Sequence, residues 1–168
     1  LPKRFLFVEG GLMNKQNTKK LLETYPKIFS RYNLPPTQTA MCWGFDCGDG
    51  WFWLIDNLCH SIQTYVDSRN EGIRIRKKAK LSMNEEEWQV EASQVKEKFG
   101  GLRFYINGGN DYIQGMIWLA EDMSKRICER CGGTKNVQQT TTGWISSLCP
   151  KCMSRKANES RGRRRKDR

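Results

Sequence analysis

Apolar side chains recur along this chain with two different periods, and the switches between them outline its elements. From Trp51 to Val66 they stand at 51, 54, 55, 58, 62, 65 and 66, the 3.6-residue rhythm of a helix with a buried face. Phe52 and Trp53 widen that stripe, which predicts a helix covered on more than one side. A shorter helix is expected over Lys19–Tyr25, capped by Thr18, with Leu21, Leu22 and Tyr25 on one face. Pro26 interrupts it, and Leu34-Pro35-Pro36 reads as an extended connector. Gly44, Gly48 and Gly50 punctuate the next stretch, where Asp49 is placed to cap the Trp51–Val66 helix. A third helix is expected from Asp111, its cap, with Ile113, Met116, Ile117, Ala120, Met123 and Ile127 on one face.

Between the second and third helices the period drops to two. Trp88, Val90 and Ala92 alternate, the phase shifts to Val95 and Phe99, and Leu102, Phe104 and Ile106 alternate again after Gly100-Gly101. This predicts a β-hairpin with a bulge near Ser93-Gln94. Arg69–Asn84 reads instead as a basic, glycine-containing loop of about 16 residues, a length that is usually functional or disordered. The expected fold is therefore α+β: a small domain over residues 13–127, with helices packed on a β-hairpin or antiparallel sheet. Residues 1–12 precede Met13, which could itself be an initiator, and are set aside as a tag or processed end. Tryptophans 51, 53, 88 and 118 all fall in amphipathic elements and are expected in the core.

One motif carries definite chemistry. Cys128-Glu-Arg-Cys131 and Cys149-Pro-Lys-Cys152 are separated by 17 residues, inside the spacing of paired CxxC zinc sites. Two intervening residues let the backbone curl until both sulfurs reach one ion, and Gly132-Gly133 suits the tight turn that follows. Val137–Thr142 and Trp144–Leu148 read as two short strands about Gly143. Residues 128–152 are thus expected to form a zinc ribbon holding one structural Zn²⁺ through Cys128, Cys131, Cys149 and Cys152. Arg126, Arg130, Lys135 and Lys151 can offset the negative charge of four thiolates on a divalent ion. Seven cysteines, with four in ligand spacing, favour a reducing compartment over a disulfide framework. Leu1–Gly11 does not read as a secretory signal, and no apolar run is long enough to span a membrane, so the expected location is cytoplasmic with no membrane partner.

Charge then narrows the partner. The formal net charge is +11, and it resides in two places. Residues 69–80 hold six basic side chains against Glu71, and residues 153–168 hold eight against Glu159 and Asp167. Such clustering points to a polyanion. The candidate nucleic-acid contacts are Arg74, Arg76, Lys77 and Lys78 in the first segment, with Arg161, Arg163, Arg164, Arg165 and Lys166 in the second. The second segment is expected to be a tail, disordered until bound. Trp144, in the ribbon hairpin with few core partners, is the candidate for base stacking.

Other constellations carry less. Cys42, Cys47, Cys59 and His60 suggest a second metal site, but adjacent residues 59 and 60 on a helix point about 100° apart, and buried free cysteines are common. His60 is the only histidine. Asp46, Asp49, Glu97 and Lys98 resemble a metal-dependent nuclease cluster only in residue type. No catalytic constellation is defensible, and the expectation is binding rather than catalysis.

Gly44-Phe-Asp-Cys-Gly-Asp-Gly-Trp51, Gln94-Val-Lys-Glu-Lys-Phe-Gly-Gly-Leu-Arg-Phe-Tyr105 and Cys128-Glu-Arg-Cys-Gly132 together resemble a group of small uncharacterised proteins of bacteriophage genomes and prophages. The resemblance spans residues 40–132, with the middle motif the most specific. It implies a phage-encoded protein acting inside a bacterial host and implies no reaction. Cys59-His60 and the basic tail fall outside the pattern. The resulting expectation is a zinc-ribbon protein that binds nucleic acid or a nucleoprotein through phosphates. A module docking on a host polymerase, defence complex or other nucleoprotein is the alternative, and a metal-dependent nuclease stands third.

Overall fold

The computed structural model describes residues 12–81, 84–141 and 143–166, of which 160–166 are described by backbone alone. The described residues are mixed α and β: four α-helices, a three-stranded sheet, a small two-stranded ladder and two single turns of tighter helix. Helix α1 spans Lys15–Thr24, beginning earlier than the sequence suggests. Its cap is Asn14 rather than Thr18: the Asn14 side chain accepts from the Asn17 N–H. Asp49 does not cap its own helix. Its Oδ1 accepts from the Asn14 N–H and from Asn17 Nδ2, both at 2.9 Å, and so supports the start of α1 from across the fold.

The main helix, α2, runs Phe52–Lys78 after a short turn at Asp49–Trp51. It absorbs most of the segment expected to be a loop. Val66, Asn70 and Ile73 are all buried, which continues the helical stripe through a polar position. Asn70 is accommodated there by donating to Trp88 O at 2.8 Å and accepting from Trp88 N at 3.1 Å. Arg76, Lys77 and Lys78 occupy the last turn, where positive charge complements the helix dipole.

Strands β1 (Phe45–Asp46), β2 (Glu91–Lys98) and β3 (Gly101–Asn107) form a sheet in that order. The β2–β3 hairpin is antiparallel, with the expected register shift between Ala92 and Gln94, and β1 joins β2 in parallel. Phe99 and Gly100 turn the hairpin with φ of 54° and 74°, the two positive values of a type I′ turn. Helix α3, Asp111–Ser124, is capped by Asn110 instead of Asp111. It also closes the open edge of β3: Ser124 Oγ accepts from Leu102 N at 2.8 Å and Glu121 Oε1 from Phe104 N at 3.0 Å. Unpaired edge groups are thereby satisfied within the chain.

The core gathers Leu21, Phe45, Trp51, Ile55, Val95 and Ile117, with their neighbours, between the helices and the sheet. Trp51 is fully buried and Trp88 half-buried, but Trp53 and Trp118 are exposed, contrary to the sequence expectation. Amphipathic periodicity does not say how wide the covered face is. No described helix is long and apolar enough to cross a membrane.

The C-terminal segment has strands β4 (Gln138–Gln139) and β5 (Ser147–Leu148), antiparallel and shorter than expected, then helix α4, Pro150–Lys166. That helix replaces the disordered tail expected from composition, and Pro150 at its first position is suited to starting a helix.

Candidate metal centre

Cys128 and Cys131 lie on a tight knuckle that follows α3. Gly132 N donates to Cys128 O and Cys128 N to Gly133 O, both at 2.8 Å, while Gly132 takes φ of 75°. The second pair is built differently. Cys149 precedes Pro150, and Cys152 sits in the first turn of α4, so a helix start rather than a second hairpin knuckle presents these sulfurs. The Cys152 N–H donates to the Cys149 sulfur and brings its pKa down to about 7. Cys152, by contrast, is pushed up to about 12, chiefly by burial. All four sulfurs lie within 4.8 Å of one another, with Cys128 and Cys152 buried and Cys131 exposed. Four cysteines so placed can bind one metal ion. They are also the one such group of metal-capable side chains among the described residues.

The centre is not an appendage. Gly50 N donates to Glu129 O at 2.7 Å, Gly48 N to Glu129 Oε1 at 3.1 Å, and Trp51 Nε1 to Ile127 O at 3.0 Å. A Cβ at Gly50 would stand 2.1 Å from Cys128 O and 2.5 Å from Gly132 N. The glycine-rich segment before α2 and the cysteine knuckle are therefore two halves of one interface, though some 80 residues separate them. On the other side, β4–β5 leans on the main hairpin. Ser147 Oγ donates to Gly100 O at 2.6 Å and Gln139 Nε2 to Phe99 O at 3.2 Å. Arg130, inside the knuckle, pairs with Glu159 of α4 at 2.6 Å.

Two carboxyl groups are buried at this junction, a feature with no counterpart among the sequence expectations. Glu129 is 3% exposed and Glu97 6%. Burial, followed by the charge of Glu97, pushes Glu129 up to about 7. Burial also raises Glu97, against the hydrogen bonds of the Gly100 N–H and Trp144. Oε1 of Glu97 accepts from Gly100 N at 2.6 Å, and Oε2 is buried without a well-formed hydrogen bond. Lys156 of α4 opposes both charges and donates to Trp144 O at 2.6 Å. Nothing local in the sequence marks these acids, because their burial comes from segments far apart in the chain.

The other candidates do not converge. Cys47 and Cys59 are buried, Cys42 donates to Thr39 O and His60 is exposed, with no metal-capable grouping among them. Asp49 is committed to α1, Asp46 and Lys98 are exposed, and Glu97 is buried. In the first basic segment, Arg74 is engaged by Glu71 and Glu87 at 2.8 Å each, and Arg76 by Glu85. Lys77 is half-buried, and Lys78 is exposed. Trp144 is 51% exposed. Arg161, Arg163, Arg164, Arg165 and Lys166 belong to α4 by backbone, and their side chains lie outside the described residues. No known protein family, curated protein or solved structure matches the chain.

Proposed function

We propose that Cys128, Cys131, Cys149 and Cys152 hold one structural Zn²⁺, and that the chain binds nucleic acid or a nucleoprotein mainly through phosphate contacts. The observation that carries the metal assignment is the spacing of the sulfurs. Cys131 and Cys149 stand 3.7 Å apart, close to the edge of roughly 3.8 Å for a tetrahedron of thiolates about 2.3 Å from zinc. Four thiolates with no water-bearing position make a closed site, whose role is to hold the knuckle, the β4–β5 hairpin and α4 together. Elemental analysis of protein purified without chelator tests it, with one zinc per chain expected; metal-free folded protein would remove the assignment.

The nucleic-acid reading rests on the net charge of +11 and its concentration toward the C-terminus. Motif resemblance to phage and prophage proteins supports a setting inside a bacterial host. Binding to DNA or RNA at about 50 mM salt is expected, where even non-specific contacts are strong; its absence would sink the reading. A protein-docking module is the second reading, favoured by Tyr112, Trp118 and Leu119, which are all more than half exposed on α3. Such apolar contacts would depend little on salt, whereas phosphate binding weakens steeply with it.

A further inference from the structure

The tip of the β2–β3 hairpin carries an aromatic side chain at a backbone position that disfavours one. Phe99 has φ of 54° and is 68% exposed. Asn or Gly would take this left-handed conformation at lower cost, and nothing in the core holds the ring. Residues held in such conformations gather at functional sites.

Another exposed ring lies on the same hairpin, on the face opposite buried Val95 and Glu97. On this outward face Tyr105 is 42% exposed. Lysines are interleaved with the rings: Lys98 Nζ lies 5.4 Å from the Phe99 centroid and Lys96 Nζ 5.6 Å from that of Tyr105.

We infer that this face of the hairpin binds single-stranded nucleic acid, with Phe99 and Tyr105 stacking on unpaired bases and Lys96 and Lys98 meeting the phosphates. The inference rests on the nucleic-acid reading above and specifies its ligand. Rings that stand out from a surface have use for bases whose faces are free, which a duplex keeps stacked on one another. The amines beside the rings, on a chain of net charge +11, complement a polyanion rather than an apolar protein surface. Stacking of this kind tolerates any base, so little sequence preference is expected.

The test uses the full chain with its metal. Fluorescein-labelled single strands of DNA and RNA, each about 16 nucleotides long, and the matching duplex are titrated by anisotropy at fixed salt. Phe99→Asn keeps the left-handed turn, and Tyr105→Thr keeps strand propensity. Each should weaken single-strand binding by about 5- to 150-fold, leaving duplex affinity, salt slope and thermal melting in place. Wild-type binding that neither variant changes would overturn this inference alone. Equal losses on single strand and duplex would do the same. A wild-type protein that binds no nucleic acid would remove both this inference and the reading beneath it.

Discussion

Gly50 shows what a single residue contributes at the junction. A methyl group there meets backbone atoms of Cys128, Glu129 and Gly132, and backbone cannot swing aside as a flexible side chain can. Gly50→Ala should therefore cost about 2–4 kcal/mol, read as a lowered melting temperature, whereas Gly115→Ala, which meets nothing within 4 Å, should be neutral or mildly stabilising. Glu97 gives a pH dependence. Its native pKa is raised, mainly by burial, so the unfolded chain gives up this proton first as pH rises. The stability contribution present when both states are protonated is then lost progressively, until the native group also ionises. Glu97→Gln should gain on the wild type as pH rises above the ordinary carboxylate range; melting temperatures of the two proteins that run parallel with pH there would show that Glu97 is not destabilising when charged. The four cysteines are legible in the sequence because their spacing is local. Gly50, Glu97 and Glu129 are not, since their importance arises from packing between distant segments.

At the scale of elements, the hairpin and its bulge follow from alternation alone, and α3 from its apolar stripe. Periodicity ends helix α2 twelve residues short because its face continues through Asn70, Gly72 and a run of arginines and lysines. Composition suggests a loop, yet Ile73 is buried and Asn70 is paired with the backbone of Trp88. Tertiary partners override a weak local preference. Helix α4 is obscured for a related reason: charge hides a helix whose first turn also supplies Cys152. If a metal fastens α4 to the knuckle, chelation or Cys149→Ser should release β4–β5 and α4 together, because binding and folding of such sites are coupled. Helix α3 should persist, held by Ile113, Ile117 and Ala120 in the main core. Hydrogen exchange after chelation should show protection removed beyond residue 128 and kept over Asp111–Ser124. Protection kept beyond residue 128 after chelation would mean that the junction, not the metal, carries the C-terminal segment.

For the molecule as a whole, the decisive question is which positive charges are available to a polyanion. By sequence the segments 69–80 and 153–168 look alike. The fold separates them. Counting residues 69–87, six basic side chains face four acidic ones, and Arg74 and Arg76 are engaged by glutamates. A phosphate would have to displace those carboxylates, and the counterions that drive binding would be fewer. Residues 161–166 hold five basic side chains and no acid, on the end of a helix that the proposed metal would anchor. Truncation after Ser160 should therefore make the dependence of log affinity on log salt shallower, by about 0.7–0.9 for each phosphate no longer neutralised. Affinity should fall similarly for unrelated sequences, because interactions with the phosphate backbone carry no base information. Replacing Arg74 and Arg76 together with Ser should leave that slope nearly unchanged. Should the two variants flatten it equally, the glutamates do not neutralise the first segment in solution, and both surfaces would track phosphate. Should neither change it, the net charge would serve some other acidic partner, and the protein-docking reading would take precedence.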